Sequence, residues 1–162
     1  MKTLTGCLQG GAILLLLTYG FAQVIAAPFS IAISAPEAAV KRGSQVKVGI
    51  KLTNISNREI EFFDTNRYCD YAVEVRDPTG SLAPEGEYKR SLLCPNGTGR
   101  VMGWRKLVRL KPKEFREDEI FVSSLYNMSQ PGKYSVEVMR KAPKELGEVE
   151  VRSTRITITV TE

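Results

Sequence analysis

The sequence predicts an all-β fold, an antiparallel sandwich of about seven or eight strands. From residue 29 onward, apolar and polar residues alternate with a period of two, the pattern of strands with one buried and one wet face. Clusters of turn-forming residues separate these runs, and no long amphipathic helix is apparent. Because so many strands in one open sheet would leave an apolar face uncovered, we expect two facing sheets.

Residues 1–26 have the composition of an export signal. Lys2 supplies a positive start, and an apolar run follows from Ala12 to Ala26. Cleavage after Ala26 leaves residues 27–162 as one domain without a membrane span, which we expect to be monomeric and secreted or periplasmic. An uncleaved membrane anchor is the alternative, because the run approaches the length that spans a bilayer.

Two cysteines, Cys69 and Cys94, lie in the predicted mature chain. An even pair in an oxidising compartment predicts a disulfide bond. By the chain-entropy model, closing a loop of about 25 residues contributes roughly 3 kcal/mol of stability. A free-thiol or metal-binding role is the alternative, but the sequence offers no other soft ligand to complete a site.

The first half of the domain contains four predicted strands. They are expected at residues 29–34, 46–53, 59–64 and 71–75. The second is the most regular, and Ile60 and Phe62 of the third are expected to face the core. A turn at residues 77–80 (DPTG) follows the fourth, because its proline presets one dihedral angle and its glycine accepts positive φ.

Residues 81–100 are rich in proline and glycine and are predicted to form a long loop tied back by Cys94. Further strands are expected at residues 102–104 and 108–110, then at 120–125, 134–138 and 149–161, with Trp104 in the core. Residues 141–147 are expected to form a polar loop, and residues 125–128 a single helical turn.

Residues 131–138 (PGKYSVEV) resemble the turn and penultimate strand of immunoglobulin-like and fibronectin type III-like modules. This resemblance implies an immunoglobulin-like antiparallel β-sandwich, similar to secreted bacterial domains, with Tyr134 supporting the corner. The cysteines depart from the immunoglobulin pattern, because Cys69 and Cys94 are close in sequence and Trp104 follows the second. The bond is therefore predicted to staple a loop rather than to pin two sheets together.

The chain contains no histidine, which excludes Ser-His-Asp, Cys-His and histidine-based zinc sites. Carboxylates remain at Glu59, Glu61, Asp64 and Asp70 and at residues 117–119, where a catalytic pair or a calcium site is the alternative to a solvated face. Neither set carries a supporting motif. We therefore predict a protein that is not an enzyme and that has no cofactor and no metal.

The densest basic run supplies a candidate partner surface, Arg100, Arg105, Arg109 and Lys111. On a strand, Arg105, Arg109 and Lys111 share one face, which favours a protein or an anionic glycan as partner. The alternative is that these charges protect an edge strand against aggregation. The formal net charge of +5 is mild for an exported protein and predicts no nucleic-acid binding.

These observations predict an exported, non-enzymatic binding or structural module. Its candidate surface is the stapled loop at residues 77–100 together with the basic stripe. Inhibition of a secreted or periplasmic hydrolase is the alternative, since the chain also resembles small bacterial β-sandwich proteinase inhibitors and a tied loop loses little entropy on binding. A carboxylate-dependent enzyme is a third hypothesis.

Overall fold

The computed structural model describes residues 26–92, 94 and 105–162. These residues contain ten strands, three short α-helices and one 3₁₀ turn. The strands are β1 (Phe29–Ser34), β2 (Ala39–Lys41), β3 (Lys47–Asn54), β4 (Ile60–Asp64), β5 (Ala72–Arg76), β6 (Lys106–Leu110), β7 (Phe115–Phe121), β8 (Gly132–Lys141), β9 (Glu150–Arg152) and β10 (Ile156–Thr161). The helices are α1 (Arg67–Asp70), α2 (Glu87–Ser91) and α3 (Val122–Leu125), and the 3₁₀ turn is Lys144–Leu146.

The strands form an immunoglobulin-like antiparallel β-sandwich, as predicted. One sheet has the order β1-β3-β7, and the other has the order β2-β10-β8-β5 with β9 beside the end of β8. Strands β4 and β6 pair with each other as a separate two-stranded ribbon. The pairs are antiparallel apart from β2 with β10, which are parallel.

The core is built from alternate side chains of the strands. In β3, Val48, Ile50 and Leu52 are at most 2 % exposed, and Lys47, Gly49 and Lys51 between them lie outside the core. Both sheets and the ribbon contribute to this core, and the rings of Phe29 in β1 and Phe62 in β4 lie 6.5 Å apart. Burial of each such large side chain contributes roughly 1.5–3 kcal/mol to stability.

Tyr134 supports the corner before β8 in the way that the resemblance implies. Its hydroxyl donates a hydrogen bond to the Gln130 carbonyl at 3.0 Å and accepts one from the Gln130 N–H at 3.2 Å, while its ring is buried. The adjoining turn needs glycine at position 132, where φ is 139° and a Cβ atom would lie 2.6 Å from Pro78 Cγ.

Asn54 fastens the β4–β6 ribbon to the end of β3. Its Nδ2 donates hydrogen bonds of 2.8 Å to the carbonyls of Arg58 and Leu110, and its Oδ1 accepts bonds from the N–H and hydroxyl of Ser56. The Asn54 backbone N–H also donates to the Glu114 carbonyl. Because Asn54 is fully buried with both side-chain polar atoms bonded, it fixes the corners on either side of the ribbon.

The structure corrects two boundaries near β7. The strand expected at residues 120–125 is β7, which begins at Phe115 and ends at Phe121. Residues 122–125 form α3, so the helical turn expected at 125–128 lies three residues earlier. The start of β7 was not predicted because residues 115–119 (FREDE) carry charges on both faces and do not alternate between apolar and polar residues.

Three further boundaries differ from the prediction. The last predicted strand is split into β9 and β10, and between them the Ser153 hydroxyl, in place of a backbone carbonyl, accepts a hydrogen bond from the Val138 N–H at 3.0 Å. Strand β2 was not predicted because it has three residues and only Val40 is buried. The predicted loop contains α2. These differences raise the strand number above the expected seven or eight.

Several predictions fall outside the described residues. They concern the signal peptide up to residue 25, the strand at residues 102–104 with Trp104, and Arg100. Within residues 26–92, 94 and 105–162, no helix is long and apolar enough to cross a membrane.

Candidate binding surface

The β4–β6 ribbon presents one face to the core and one to solvent. Ile60, Phe62 and Asp64 of β4 are buried, as predicted for Ile60 and Phe62. The alternate residues face outward, and Phe63 of β4 lies opposite Leu107 of β6. Phe63 is 55 % exposed and Leu107 is 39 % exposed. The outer face therefore carries an exposed apolar pair at its centre.

The basic residues of the predicted stripe surround this pair. Arg109 lies in β6 beside Leu107, and its guanidinium forms an ion pair with Glu61 across the ribbon. Arg105 and Lys111 are exposed at the two ends of β6. Among the described residues, no carboxylate forms an ion pair with Arg105 or Lys111. We call residues Phe63, Arg105, Leu107, Arg109 and Lys111 the ribbon face.

The segment that follows the 77–80 turn is held against the body of the domain. Cys69 in α1 and Cys94 form the predicted disulfide, with Cα atoms 5.2 Å apart. The rings of Tyr68 and Tyr88 meet edge to face with centroids 5.2 Å apart. The Gly86 N–H donates to the Leu125 carbonyl at 2.7 Å. The part of the predicted loop that the structure describes, residues 81–92 and 94, is therefore a packed segment containing α2, which we call the stapled segment.

Lys89 of α2 adds a polar attachment. Its ammonium lies 4.0 Å from the ring centroid of Tyr126, donates to the Tyr126 hydroxyl and forms an ion pair with Glu85 at 2.9 Å. Desolvation lowers the pKa of Lys89, but the bonds to Tyr126 and Glu85 outweigh it, so the pKa is raised above its usual value. The ammonium therefore remains charged at neutral pH and holds α2 in place.

A cleft of about 340 Å³ lies between β4 of the ribbon, α1 and the end of β8. Phe63 and Phe62 lie on one side of it, and Cys69 and Asp70 of α1 on another. The Asp70 carboxylate accepts bonds from the N–H and hydroxyl of Thr65, at 2.9 and 2.7 Å. The cleft therefore borders Phe63 of the ribbon face and Cys69 of the disulfide.

Beneath the ribbon lies a network of buried charges. Arg140 of β8 donates to Asp64 at 3.1 Å and to the Phe63 carbonyl at 3.3 Å, and its guanidinium carbon lies 4.6 Å from the Phe62 ring centroid. Arg116 of β7 forms an ion pair with Asp64 as well. The network therefore ties the ribbon to both sheets.

The other end of this network is a tyrosine and a second carboxylate. Arg116 donates two bonds to Asp118, of 3.0 and 2.8 Å, and the Tyr71 hydroxyl donates to Asp118 at 2.9 Å. Burial, assisted by the Asp118 charge and opposed by the Arg140 cation, raises the pKa of Tyr71 well above its usual value. The two arginines balance the charges of the two aspartates, while the buried Arg140 Nη1 has no hydrogen-bond partner among the described residues.

Several of the carboxylates that were candidates for a catalytic pair form ion pairs or hydrogen bonds with different residues. Asp64 pairs with Arg140 and Arg116, Glu61 pairs with Arg109, and Asp70 accepts from Thr65. In the parts of the chain that the structure describes, no group of three or more histidine, cysteine, aspartate or glutamate side chains could hold a metal ion.

Sequence reasoning missed Phe63, Leu107 and Arg140. A signal for Phe63 was present, because two adjacent aromatic residues in one strand cannot both face the core. Arg140 continues the inward alternation of Tyr134, Val136 and Val138. Leu107 could be identified only from the pairing of β4 with β6.

No protein-family model matches this chain, and no curated protein matches its sequence. Among solved structures, a CARDB domain from Pyrococcus furiosus is 14 % identical with a TM-score of 0.42, over 82 % of this chain and 87 % of that chain. Part of an alkylpurine DNA glycosylase from Pseudomonas fluorescens is 13 % identical with a TM-score of 0.42, over 84 % of this chain and 31 % of that chain. A PapD-like domain of human CEP192 is 11 % identical with a TM-score of 0.31, over 92 % of this chain and 96 % of that chain. Similarities this low carry no argument about function.

Proposed function

We propose that this protein is a secreted or periplasmic, monomeric binding module without enzymatic activity, and that it binds a protein or an anionic glycan through the ribbon face. One observation carries the proposal. Arg105 and Lys111, whose side chains form no ion pair with a described carboxylate, flank the exposed pair Phe63 and Leu107. The Glu114 carboxylate bonds to the backbone N–H of Lys111. Exposed apolar patches rimmed by polar residues are typical of interaction sites, and aromatic and arginine side chains are enriched there.

The support beneath the ribbon face favours binding. Asn54 anchors one end of the ribbon, and the pairing of Asp64 with Arg140 anchors the other end from below. A face that is fixed before it meets its partner loses less conformational entropy on association.

Export and the lack of enzymatic activity are supported by sequence and structure together. The apolar start of the chain and the disulfide between Cys69 and Cys94 suit an oxidising compartment outside the cytoplasm. The chain lacks histidine, and Glu61, Asp64 and Asp70 are engaged by separate partners.

Site-specific photocrosslinking in the producing cells tests this proposal. A photoreactive phenylalanine analogue replaces Leu107 in one variant and Phe115 in a control variant, since Phe115 is 51 % exposed but lies in β7, outside the ribbon and the predicted loop. The variant at position 107 should give a discrete adduct that the control does not give. Adding Arg105→Glu and Lys111→Glu should weaken that adduct. Identical adduct patterns at the two positions, or no adduct at 107, would contradict the proposal.

Inhibition of a secreted or periplasmic hydrolase is the second candidate function. The disulfide and the Tyr68–Tyr88 contact favour it, because they restrain the stapled segment as an inhibitory loop requires. Exported proteases and glycosidases would be assayed with and without the protein. Inhibition that disappears after reduction of the disulfide would support this function, whereas full enzyme rates throughout would exclude it for the enzymes assayed.

A further inference from the structure

We propose that the edge of β6 opposite β4, which has no backbone partner among the described residues, binds an extended acidic segment of a partner protein as an added β-strand. This inference rests on the proposed binding function and names the class of partner for the same ribbon face. It is drawn from the backbone of β6, its side-chain charges and the position of its apolar residue.

The backbone of β6 is bonded along one edge. Lys106–Leu110 pairs with Ile60–Asp64 of β4, and these two strands form the whole sheet among the described residues. On the side of β4 facing the body, the Phe63 carbonyl accepts a hydrogen bond from Arg140. No backbone hydrogen bond joins residues 106–109 to any other described segment. An open strand edge is a template for an incoming strand, which gains main-chain hydrogen bonds.

The side chains of β6 specify what such a strand should carry. Arg105, Leu107, Arg109 and Lys111 occupy alternate positions, so a paired strand would place its own alternate side chains beside them. Glu61 engages Arg109, whereas Arg105 and Lys111 have no ion-pair partner among the described residues. The matching strand therefore carries acidic residues near both ends of β6 and an apolar residue opposite Leu107.

A second copy of this chain does not satisfy that requirement. Antiparallel pairing of β6 with itself centred on Val108 would place Arg105 of each copy opposite Lys111 of the other, and pairing centred on Leu107 would place Arg105 opposite Arg109. Like charges directly across strands are destabilising. Because self-pairing of β6 is disfavoured, the occupant should be a different protein.

An anionic glycan fits the ribbon face less well than a peptide. Phe63 and Leu107 interrupt the row of cations, and the Glu61 carboxylate lies within the same face. A sulfated chain would meet that apolar pair and that negative charge without forming backbone hydrogen bonds to β6. A peptide strand uses the edge, the apolar pair and the flanking cations together.

The test uses the synthetic peptide fluoresceinyl-Glu-Thr-Glu-Thr-Leu-Thr-Glu-amide, into which the exported protein is titrated while fluorescence anisotropy is followed. A scrambled peptide of the same composition controls for net charge. Two further peptides carry N-methyl groups on alternate residues, one on the Glu and Leu positions and the other on the Thr positions. In an extended strand, the N–H groups of the Glu and Leu residues point to one edge and those of the Thr residues point to the other. Only one of these two groups of N–H can bond to β6. One methylated peptide should therefore bind about tenfold more weakly, and the other should bind like the unmethylated peptide.

Protein variants locate the binding edge. Arg105→Glu and Leu107→Asp should each weaken peptide binding by about tenfold. Lys133→Glu changes charge equally on the exposed part of β8 and should leave binding unchanged. Leu107→Ala, which adds no charge, should weaken binding less than Leu107→Asp, and circular dichroism would establish that each variant is folded.

Two results would overturn the inference: failure of the parent peptide to bind, or equal binding by the two N-methylated peptides. A titration with a heparin octasaccharide distinguishes an error in the peptide inference from an error in the proposed binding function. If heparin binds through Arg105 and Lys111 while the peptide does not, the peptide inference is wrong and the binding function stands. If neither probe binds and crosslinking at position 107 also fails, both are wrong.

Discussion

Arg140 on β8 and Asp64 on β4 form a buried ion pair, with Nη2 and Oδ1 3.1 Å apart and both residues less than 10 % exposed. The pair joins the two-stranded ribbon to the larger sheet. A buried charge that loses its partner is costly, because the remaining charge is neither solvated nor neutralised. The ribbon face therefore depends on a contact that lies beneath it.

Replacing Asp64 tests the strength of this anchor. Asp64→Ala leaves the Arg140 cation buried and also removes a partner of Arg116, so we expect a loss of about 3–5 kcal/mol in the free energy of unfolding. Glu61→Ala, which removes an exposed ion pair on the same strand, should cost less than about 1 kcal/mol. Urea titration followed by circular dichroism measures both. Equal losses would contradict the anchoring role.

The stability of the protein should fall at high pH because of Tyr71. Burial raises its pKa in the folded state above the ordinary value of 10.0, so the unfolded chain loses this proton first. The unfolding free energy contributed by this difference is fully present below about pH 10 and is lost as the pH rises toward the folded-state pKa. Urea titrations of the wild type and of Tyr71→Phe between pH 8 and about 11 measure it. The wild type should lose more stability than Tyr71→Phe over this range, and parallel curves would refute the assignment.

The disulfide should stabilise the domain by joining α1 to the stapled segment. Cys69 and Cys94 are separated by 25 positions, for which the chain-entropy model gives roughly 3 kcal/mol. The double variant Cys69→Ser and Cys94→Ser should be less stable by about that amount. Dithiothreitol should shift the urea midpoint of the wild type and leave that of the double variant unchanged. A reductant effect on both would point to a cause other than this bond.

Cleavage of the signal peptide should give a mature protein that begins at Ala27. Val24 and Ala26 occupy the positions that signal peptidases recognise. Intact-mass measurement of the exported protein should fit residues 27–162, with the disulfide formed. Ala26→Lys should block processing and leave the full-length chain attached to membranes. A native protein that retains residues 1–26 would instead support the membrane-anchor alternative.

The parts of the fold that sequence predicted are those in which neighbouring residues carry the information. In β3, alternation of Val48, Ile50 and Leu52 with polar residues is sufficient to identify the strand and its buried face. The turn before Tyr134 is similarly local, and so is the closeness of the two cysteines in sequence. These elements required no knowledge of distant partners.

Strand β7 shows why the remainder could not be predicted. Arg116 and Asp118 are partly buried on the same side as the buried Ile120, where a period of two calls for apolar residues. They are tolerated there because Asp64 and Tyr71, far away in sequence, neutralise or bond them. A local sequence pattern does not show that distant residues compensate the charges of Arg116 and Asp118.

The candidate surface was predicted only in part for the same reason. Arg105, Arg109 and Lys111 follow from alternation along one strand. The pairing of Phe63 with Leu107 requires the register between β4 and β6, and these strands are separated by the whole stapled segment. The apolar centre of the face therefore came from the structure and its basic ends from the sequence.

The bond from Asn54 to Leu110 has a consequence for the order of folding. It joins residues 56 positions apart, so the ribbon is completed only after a long loop has closed, and such closures slow folding. The Asn54 N–H also needs the Glu114 carbonyl. In a chain that emerges amino terminus first, the ribbon face cannot form until about two thirds of the polypeptide is available.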